Sequence, residues 1–211
     1  MCGIVGILNL KGDSVSTNTI KKMTDAIAHR GPNGEGQWAE KNIGIGHRRL
    51  SIIDLSSAGH QPMLSNDKRY VLSYNGEIYN FKEIRKELKS LGFIFKSNTD
   101  SEVVLNSLIQ WGKNALHKFN GMFALAFWDR LEEKLILSRD RYGIKPLYYS
   151  KQGDSFIFAS EQKSIIAINS FSRKLNKKGL YEYFTFQNFF SEQTLFEELK
   201  ILSAGYFLTI S

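Results

Sequence analysis

The residue at position 2 is a cysteine, and it is the only cysteine in a chain of 211 residues. If Met1 is removed, Cys2 becomes the N-terminal residue and carries a thiol and a free α-amine. An α-amine titrates at roughly pH 7.7–8.0, so it can accept a thiol proton near neutrality, directly or through one water. The alternative is a small buried residue that opens a strand. The choice between a nucleophile and a buried thiol depends on whether other residues build a substrate pocket around it.

Four further segments carry polar side chains that a hydrophobic core would not require. They are residues 29–34, 47–52, 75–80 and 98–102. Each has its own structural explanation: an Arg-Gly-Pro turn, surface arginines, an Asn-Gly hairpin signal and an aspartate helix cap, respectively. Taken singly, the structural explanation is favoured for each segment. Their combination with a cysteine at position 2 favours a catalytic site.

The elements that must position these segments follow from hydrophobic patterning. Runs of β-branched and aromatic residues between turn signals predict strands at residues 4–10, 36–39, 43–48, 70–74, 93–96, 122–129, 135–139, 146–150, 156–159 and 205–210. Apolar residues spaced three and four apart predict helices at residues 20–27, 81–91, 100–112 and 180–184. Asn80 and Asp100 are expected to cap two of these helices. Strands, then helices, then strands predict an α+β fold with stacked sheets and outer helices.

Length and composition limit the class of protein. A chain of this length can bury one substantial core, so we predict a single domain over residues 1–211. A hydrophobic fraction of 42% and a charged fraction of 23% are typical of soluble globular proteins. One cysteine cannot form an intramolecular disulfide, which suggests a reducing, cytoplasmic location. The apolar start lacks the basic flank of a signal peptide, and the longest apolar stretch, residues 122–128, is too short to cross a bilayer.

The net charge of +7 raises the question of an acidic partner. The lysines and arginines are spread along the chain, with one modest cluster at residues 173–178, and no zinc spacing or nucleic-acid motif accompanies them. A solvated basic surface explains the charge, so neither nucleic acid nor membrane is a predicted partner.

Five motifs in a fixed order point to a known family. They are Met-Cys-Gly-Ile-Val-Gly at 1–6, Arg-Gly-Pro at 30–32, His-Arg-Arg-Leu-Ser-Ile at 47–52, Asn-Gly-Glu-Ile-Tyr-Asn at 75–80 and Arg-Asp-Arg-Tyr-Gly-Ile-Lys-Pro-Leu-Tyr-Tyr at 139–149. Across essentially the whole chain, the sequence resembles the glutaminase domain of glutamine-hydrolysing asparagine synthetases, which are class II (N-terminal nucleophile, Ntn) glutamine amidotransferases. The resemblance implies a four-layer αββα fold with two stacked, mainly antiparallel sheets.

The resemblance also implies how the site works. Cys2 would attack the side-chain amide carbon of glutamine and form a thioester with release of ammonia, its own α-amine acting as base. The Asn75 side-chain amide and the Gly76 backbone N–H would form the oxyanion hole. Neighbours on a strand face opposite sides, so only one of Arg48 and Arg49 can point inward. The family pattern selects Arg49 as the residue that binds the substrate α-carboxylate.

The remaining roles implied by the resemblance concern binding and support. Asp100 and Glu77 would receive the substrate α-ammonium, and Arg30 would brace the N-terminal loop. Backbone polar groups would line the pocket at Leu50, Ser51, Ile52 and Ile53. No metal or organic cofactor is expected for this half-reaction, because ATP and Mg²⁺ serve only the synthetase domain of the family.

The chain departs from the family pattern at several positions. Asn33 stands where the family usually has aspartate, and Arg48 where an acidic residue is common in bacterial members. Gln162 and the pair Ser203-Ala204 stand where proline is frequent. None of these is a residue that the resemblance places in the chemistry, so we expect glutamine hydrolysis to be retained. They leave the subfamily, and hence the ammonia acceptor, open.

In the family, ammonia travels through a tunnel to an ATP-using domain that carries a Ser-Gly-Gly-x-Asp-Ser loop. No such stretch occurs in this sequence. We therefore expect the chain to be one domain of a longer protein or a truncated product, able to hydrolyse glutamine but not to make asparagine alone. The expected partners are L-glutamine and a C-terminal synthetase domain, and a homodimer is compatible with the family. Residues 122–127 are either core or close to the tunnel.

Two alternative functions remain at this stage. One is the glutaminase domain of another class II amidotransferase, such as a sugar- or uronic-acid-amidating enzyme. Aminosugar- and purine-pathway enzymes are further candidates of this class, and the Asn-Gly-Glu-Ile-Tyr-Asn and Gly-Ile-Lys-Pro-Leu-Tyr-Tyr strings favour the asparagine-synthetase-like branch over these two. The other is a non-catalytic docking or regulatory module with the same fold. The combined presence of Cys2, Arg49, Asn75, Gly76 and Asp100 argues against it, because packing alone would not require that set.

Overall fold

The structure is a computed structural model that describes residues 1–52 and 54–211. Its strands are β1 (Gly3–Asn9), β2 (Gly34–Glu40), β3 (Ile43–Arg49), β4 (Met63–Leu64), β5 (Tyr70–Ile78), β6 (Gly121–Asp129), β7 (Lys134–Arg139), β8 (Tyr148–Gln152), β9 (Ser155–Ala159), β10 (Leu199–Ile201) and β11 (Phe207–Ile210). Its α-helices are α1 (Thr17–Asp25), α2 (Phe81–Ser90), α3 (Asp100–Trp111), α4 (Ala115–Lys118), α5 (Gln162–Ile166) and α6 (Lys177–Phe186). Within the described residues, no helix combines the length and apolar character needed to span a bilayer.

The strands form two antiparallel sheets. The first has six strands in the order β10-β8-β9-β1-β3-β2, and the second has five in the order β11-β7-β6-β5-β4. The strand that begins with the N-terminal motif, β1, therefore lies inside the first sheet, between β9 and β3. The strand that carries Asn75 and Gly76, β5, lies inside the second sheet, between β6 and β4.

Three apolar clusters separate four layers. Successive side chains of a strand point to opposite faces, so β1 contributes to two clusters. Ile4 and Leu8 pack between the two sheets, whereas Val5 and Ile7 pack against α1 and α5 on the outer face. A third cluster joins the outer face of the second sheet to α2 and α3. The predicted α+β fold with a four-layer αββα arrangement is confirmed.

One predicted strand end is wrong, and the difference concerns the site. The Asn75-Gly76 pair was expected to end a strand, but β5 continues to Ile78 and stays paired with β6 throughout. An Asn-Gly pair is a hairpin signal only where the chain reverses. Here the partner strand comes from residues 121–129, more than forty positions later, and its pairing keeps Asn75 and Gly76 in extended backbone.

One predicted cap and one short strand are also wrong. Residues 93–96 do not form a strand; the N–H of Lys96 instead donates to the Glu102 carboxylate. The cap of α3 is Thr99, whose hydroxyl accepts from the N–H of Glu102, so Asp100 is not the cap. Asn80 stands at the N-cap position of α2, as predicted, but its side chain makes no capping hydrogen bond and instead bonds the backbone of Lys118 and Asn120. The predictions missed β4, β10, α4 and α5, which are too short to show a clear hydrophobic period.

Candidate active site

A cavity of about 250 Å³ opens between the start of β1, the end of β3, the last part of β5 and the first turn of α3. The structure brings nine of the predicted site residues to its wall: Cys2, Arg49, Leu50, Ser51, Ile52, Asn75, Gly76, Glu77 and Asp100. Arg30 lies behind this wall, in contact with Cys2. Ile53 lies outside the described residues. Residues from both sheets and one helix therefore meet at one site.

The Cys2 thiol lies against the backbone that follows β3. Its Sγ accepts a hydrogen bond from the N–H of Leu50 at 3.3 Å and lies 3.6 Å from the Leu50 carbonyl oxygen. Burial raises the pKa of the thiol, while the Leu50 hydrogen bond, the chain-terminal amine and the Arg49 charge act in the opposite direction. Because burial is the strongest of these effects, ionisation of Cys2 requires further stabilisation of the thiolate or a nearby base.

The backbone of Cys2 is held by a buried arginine. The Nε of Arg30 donates to the Cys2 carbonyl oxygen at 2.8 Å, and its Nη1 donates to the Glu161 carboxylate at 2.8 Å. Glu161 also contacts His29 and Lys163. Burial opposes ionisation of Glu161, but hydrogen bonds from Arg30, His29 and Lys163 prevail and lower its pKa to about 2. Glu161 was not a predicted site residue. It fixes the position of Arg30, and Arg30 in turn fixes the backbone of Cys2.

Asn75 provides a buried donor that no protein group uses. It is 2% exposed, and its Nδ2 has no hydrogen-bond partner among the described residues. A buried amide donor without a partner costs free energy, on the order of 1–3 kcal/mol. Asn75 lies at the wall of the cavity that contains Cys2, so a molecule bound against this side chain would meet an uncompensated donor.

Gly76 provides a second donor. In an antiparallel strand, the N–H groups of alternate residues point to the same side. Those of Tyr74 and Ile78 are bonded to side chains from outside the sheet. Gly76 itself is paired with Phe123 on β6. The N–H and C=O of Phe123 both bond Asp140, on the β7 side, so the N–H of Gly76 also faces away from β6. A Cβ on Gly76 would lie 2.4 Å from the Met122 carbonyl oxygen, so glycine is required here.

Arg49 enters the cavity and Arg48 does not. Nη1 of Arg49 donates to the Ser56 carbonyl oxygen at 2.8 Å, and Nη2 donates to the Asp54 carbonyl oxygen. Arg48 points to the opposite face, where it pairs with Asp25 and Glu35 on the exterior. The choice of Arg49 over Arg48 as the inward residue agrees with the structure. Two backbone carbonyls fix the orientation of its guanidinium without neutralising its charge.

Asp100 and Glu77 supply negative charge at the cavity wall. Oδ2 of Asp100 accepts from the Tyr74 hydroxyl at 2.7 Å and from the N–H of Ile78 at 3.1 Å. Burial raises the pKa of Asp100, and these hydrogen bonds partly offset that effect. The Asp100 carboxylate is thus bonded to β5 at the cavity wall.

Several cavity residues were not predicted as site residues. They are Met1, Asp54, Gly59, Gln61, Tyr74, Thr99, Ser101, Met122 and Lys145. The side-chain amide of Gln61 accepts from the N–H of Tyr74 on β5 and donates to its carbonyl oxygen. No local sequence signal could indicate this pairing. Lys145 belongs to the motif at 139–149, to which the family resemblance assigns no role in the site. Met122 lines the cavity, whereas residues 123–127 are all buried in the core. For residues 122–127, the structure therefore favours the core interpretation over a position near the tunnel.

A buried histidine lies between the sheets beneath the site. His47 on β3 is fully buried, and its Nδ1 lies 3.2 Å from the Ser73 hydroxyl on β5. Burial lowers the pKa of His47 to about 3, with smaller contributions from the charges of His60 and Arg49. A histidine that stays neutral here links the two sheets by a hydrogen bond and does not line the cavity.

Two departures from the family pattern have a structural account. Oδ1 of Asn33 accepts from the N–H of Ser51 at 3.1 Å, a bond that an amide oxygen can make as well as a carboxylate can. The Arg48 side chain pairs with exterior acids, as described above. Among the described residues, no group of three or more His, Cys, Asp or Glu side chains is placed to hold a metal ion.

Comparisons with known proteins agree with this geometry. The family model described as a glutamine amidotransferase domain matches residues 1–211. The chain is 40% identical over 187 residues to asparagine synthetase [glutamine-hydrolyzing] 3 of Bacillus subtilis, covering 87% of the chain and 30% of that protein. It is 38% identical over 213 residues to asparagine synthetase [glutamine-hydrolyzing] 1 of the same organism, covering 100% and 33%, respectively. The chain therefore spans about a third of the length of these curated relatives.

A solved structure shows the same fold. The glutamine phosphoribosylpyrophosphate amidotransferase of B. subtilis superposes with a TM-score of 0.67 at 23% identity, covering 79% of this chain and 43% of that one. Two stacked antiparallel sheets between helical layers are therefore shared with an enzyme whose sequence has diverged widely.

Proposed function

The chain belongs to the glutamine amidotransferase domain family, and we propose that it hydrolyses L-glutamine to L-glutamate and ammonia through a Cys2 thioester. One observation carries the proposal: Asn75, whose buried Nδ2 has no hydrogen-bond partner among the described residues, lies at the wall of the same cavity as Cys2. A donor left uncompensated beside a nucleophile fits an oxyanion that exists only during acyl transfer.

Charges at the wall are arranged for an amino acid. The α-carboxylate of glutamine would pair with the Arg49 guanidinium, which is held in a fixed orientation and keeps free donors. The α-ammonium would pair with Asp100 and Glu77, whose carboxylates line the same cavity. Binding both ends of the zwitterion would place the side-chain amide of glutamine at Cys2.

The proposed reaction has two halves. The α-amine of Cys2 takes the thiol proton, and Sγ forms a bond to the side-chain carbonyl carbon of glutamine while the C=O electron pair moves to oxygen. The oxyanion accepts hydrogen bonds from Asn75 Nδ2 and the N–H of Gly76. Donors placed this way contribute about 3–4 kcal/mol each in other acyl-transfer enzymes.

The intermediate collapses when the carbon–nitrogen bond breaks. The amide nitrogen takes the proton held by the α-amine and leaves as ammonia, and the thioester remains on Cys2. Water then loses a proton to the α-amine and attacks the thioester, the same oxyanion site is used again, and glutamate leaves as the thiolate is reprotonated. In this proposal no metal or organic cofactor takes part.

The destination of the ammonia is a proposal of wider scope. The relatives named above are about three times longer than this chain, and they are asparagine synthetases by name. We propose that in the full protein the ammonia reaches an ATP-dependent synthetase domain that amidates a carboxylate, as in asparagine formation. The cytoplasm is the proposed location, supported by the single, unpaired cysteine.

The test is a glutaminase assay on purified chain whose N-terminal residue is shown by mass to be Cys2. Glutamate release from L-glutamine is expected for the wild type and is expected to be lost in Cys2→Ala. Cys2→Ser is a closer variant in size and is expected to retain only a trace of activity. Absence of glutamate release from correctly processed wild-type protein would contradict the proposal.

A further inference from the structure

Lys145 is an unpaired, buried cation at the wall of the cavity. It is 6% exposed and shares the cavity with Cys2, Asn75 and Glu77. Within the described part of the chain, no carboxylate lies at ion-pair distance from its ammonium, and no acceptor is hydrogen-bonded to it. The stem of the side chain is buried, but Nζ itself is not closed off, so the ammonium has access to the cavity. Its presence beside a nucleophile therefore suggests a role in the chemistry rather than in packing.

The backbone around Lys145 is held from both sides. Its N–H donates to the Asp140 carboxylate at 2.9 Å, and its carbonyl oxygen accepts from the Nε of Arg139 at 2.9 Å. Asp140 is fully buried and also accepts from the N–H groups of Tyr142 and Ile144. The loop is thus built around one carboxylate, and Pro146 further restricts it. A rigid loop determines where the flexible lysine side chain can lie.

The electrostatic surroundings of Lys145 include the nucleophile. Burial is the strongest effect and lowers the pKa of Lys145, and the positive charge of Arg30 acts in the same direction. Cys2, Asp140 and Glu77 act in the opposite direction by favouring the ammonium. An attraction between two charges is reciprocal, so an ammonium that the thiolate stabilises also stabilises the thiolate. In the free protein the chain-terminal amine and Arg49 act on Cys2 more strongly than Lys145 does.

Other charged groups must be weighed against Lys145. Those that line the cavity or act on Cys2 or Lys145 are the chain-terminal amine, Arg30, Arg49, Asp54, Glu77, Asp100 and Asp140. Arg30 is paired with Glu161, and Asp140 is saturated by backbone N–H groups. Under the proposed function, bound glutamine would pair with Arg49 through its α-carboxylate and with Asp100 and Glu77 through its α-ammonium. Among the described residues, Lys145 would then be the one side-chain cation at this wall that neither the protein nor the substrate neutralises.

We propose that the Lys145 ammonium is the counter-charge of the Cys2 thiolate and makes the buried thiol reactive near neutral pH. The inference rests on the proposed function, since it assumes that the thiolate is the attacking group. Lys145 stays protonated throughout; the thiol proton passes to the α-amine as described above. The lysine therefore acts through the charge it places near Cys2, not as a proton carrier.

The test measures the thiol itself. Cys2 is the only cysteine, so the rate of iodoacetamide alkylation against pH reports its ionisation without any need for turnover. The variants are Lys145→Met, which removes the charge at similar size, and Lys145→Arg, which keeps it. Lys151→Met is the matched control, because Lys151 is an exposed lysine on β8. All proteins are prepared with Cys2 at the N-terminus, confirmed by mass.

In Lys145→Met, the apparent pKa of the thiol is expected to rise by about one unit, the size of a single nearby charge in a partly desolvated site. The acidic limb of the plot of kcat/KM against pH should move to higher pH by the same amount, while KM for glutamine changes little. Lys145→Arg should restore the profile, and Lys151→Met should match the wild type. The melting temperature of Lys145→Met should stay close to that of the wild type, because among the described residues the substitution breaks no ion pair or hydrogen bond of the ammonium.

Superimposable alkylation profiles of Lys145→Met and wild type would overturn the inference, whether or not activity changes. A lower melting temperature of Lys145→Met with an unchanged profile would do the same, by assigning Lys145 to the fold. Failure of the proposed function is a separate result: wild-type protein would release no glutamate, whatever the alkylation profiles show.

Discussion

The Nε of Arg30 donates a hydrogen bond of 2.8 Å to the carbonyl oxygen of Cys2, and Glu161 holds the same guanidinium from its far side. Two residues separated by 131 positions thereby determine the orientation of the peptide that carries the nucleophile. Arg30 is 7% exposed, so its charge depends on the Glu161 carboxylate.

Replacing Glu161 with glutamine should lower kcat by about 10- to 100-fold, because a small displacement of Arg30 misplaces the thiol. KM for glutamine should change little, since Arg49 and Asp100 are untouched. His29→Ala is the control, because His29 is an exposed partner of the same carboxylate and does not contact Cys2. Circular dichroism establishes that both variants are folded. Equal effects of the two substitutions on kcat would contradict a specific role of the contact between Glu161 and Arg30.

Asn75→Ala should reduce kcat by about 10²- to 10³-fold with little change in KM, because the amide would act only on the oxyanion. Asn42→Ala is a matched control, since the Asn42 amide bonds the Asn9 carbonyl oxygen, away from the cavity. Steady-state glutaminase kinetics decide the outcome. An increase in KM at constant kcat would instead place Asn75 in ground-state binding.

Gly59→Ala should raise KM for glutamine. A Cβ at this position would lie 2.3 Å from the Nη2 of Arg49 and would displace the guanidinium. The loss of one charge-assisted hydrogen bond predicts an increase of about 10- to 100-fold. Gly34→Ala is the control because its Cβ would meet Arg49 only at 3.9 Å, an ordinary contact. If KM for glutamine in both variants equals that of the wild type, Arg49 does not bind the substrate α-carboxylate in this orientation.

The stability of the protein should depend on pH through His47. Its pKa is about 3 in the fold and 6.5 in an unfolded chain, so the unfolded state binds a proton first as pH falls. The contribution of His47 is complete above pH 6.5 and is lost between pH 6.5 and 3, by up to about 1.4 kcal/mol per pH unit. Urea unfolding of wild type and His47→Gln between pH 7 and 4 measures this. The difference between the two proteins should shrink as pH falls; a constant difference would contradict the assignment.

Protein that retains Met1 should be a poor glutaminase. The nitrogen of Cys2 is then an amide, which cannot accept the thiol proton. Met1 also lies at the cavity wall, where it would restrict glutamine. Preparations with and without Met1, separated by mass and assayed side by side, test this. Comparable turnover in both would refute the α-amine as the base.

The fold and most of the site could be predicted because their signals are local. Runs of branched apolar residues identify strands such as β1, and the motifs around Asn75 and Arg49 are contiguous in the sequence. Asp100 shows the limit of local reasoning. Its position before an apolar run is typical of a helix cap, but the structure gives the cap to Thr99 and bonds Asp100 to Tyr74, 26 positions earlier.

The sequence by itself determined the residue types of the site, the order of the motifs and the strand and helix pattern, because these depend on neighbours in the chain. Only the tertiary structure decided that Glu161 supports Arg30, that Gln61 completes the edge of β5, and that Lys145 shares a cavity with Cys2. Each of these contacts joins residues from separate elements. Their proximity follows from how two sheets stack and where their ends meet, which no local pattern encodes.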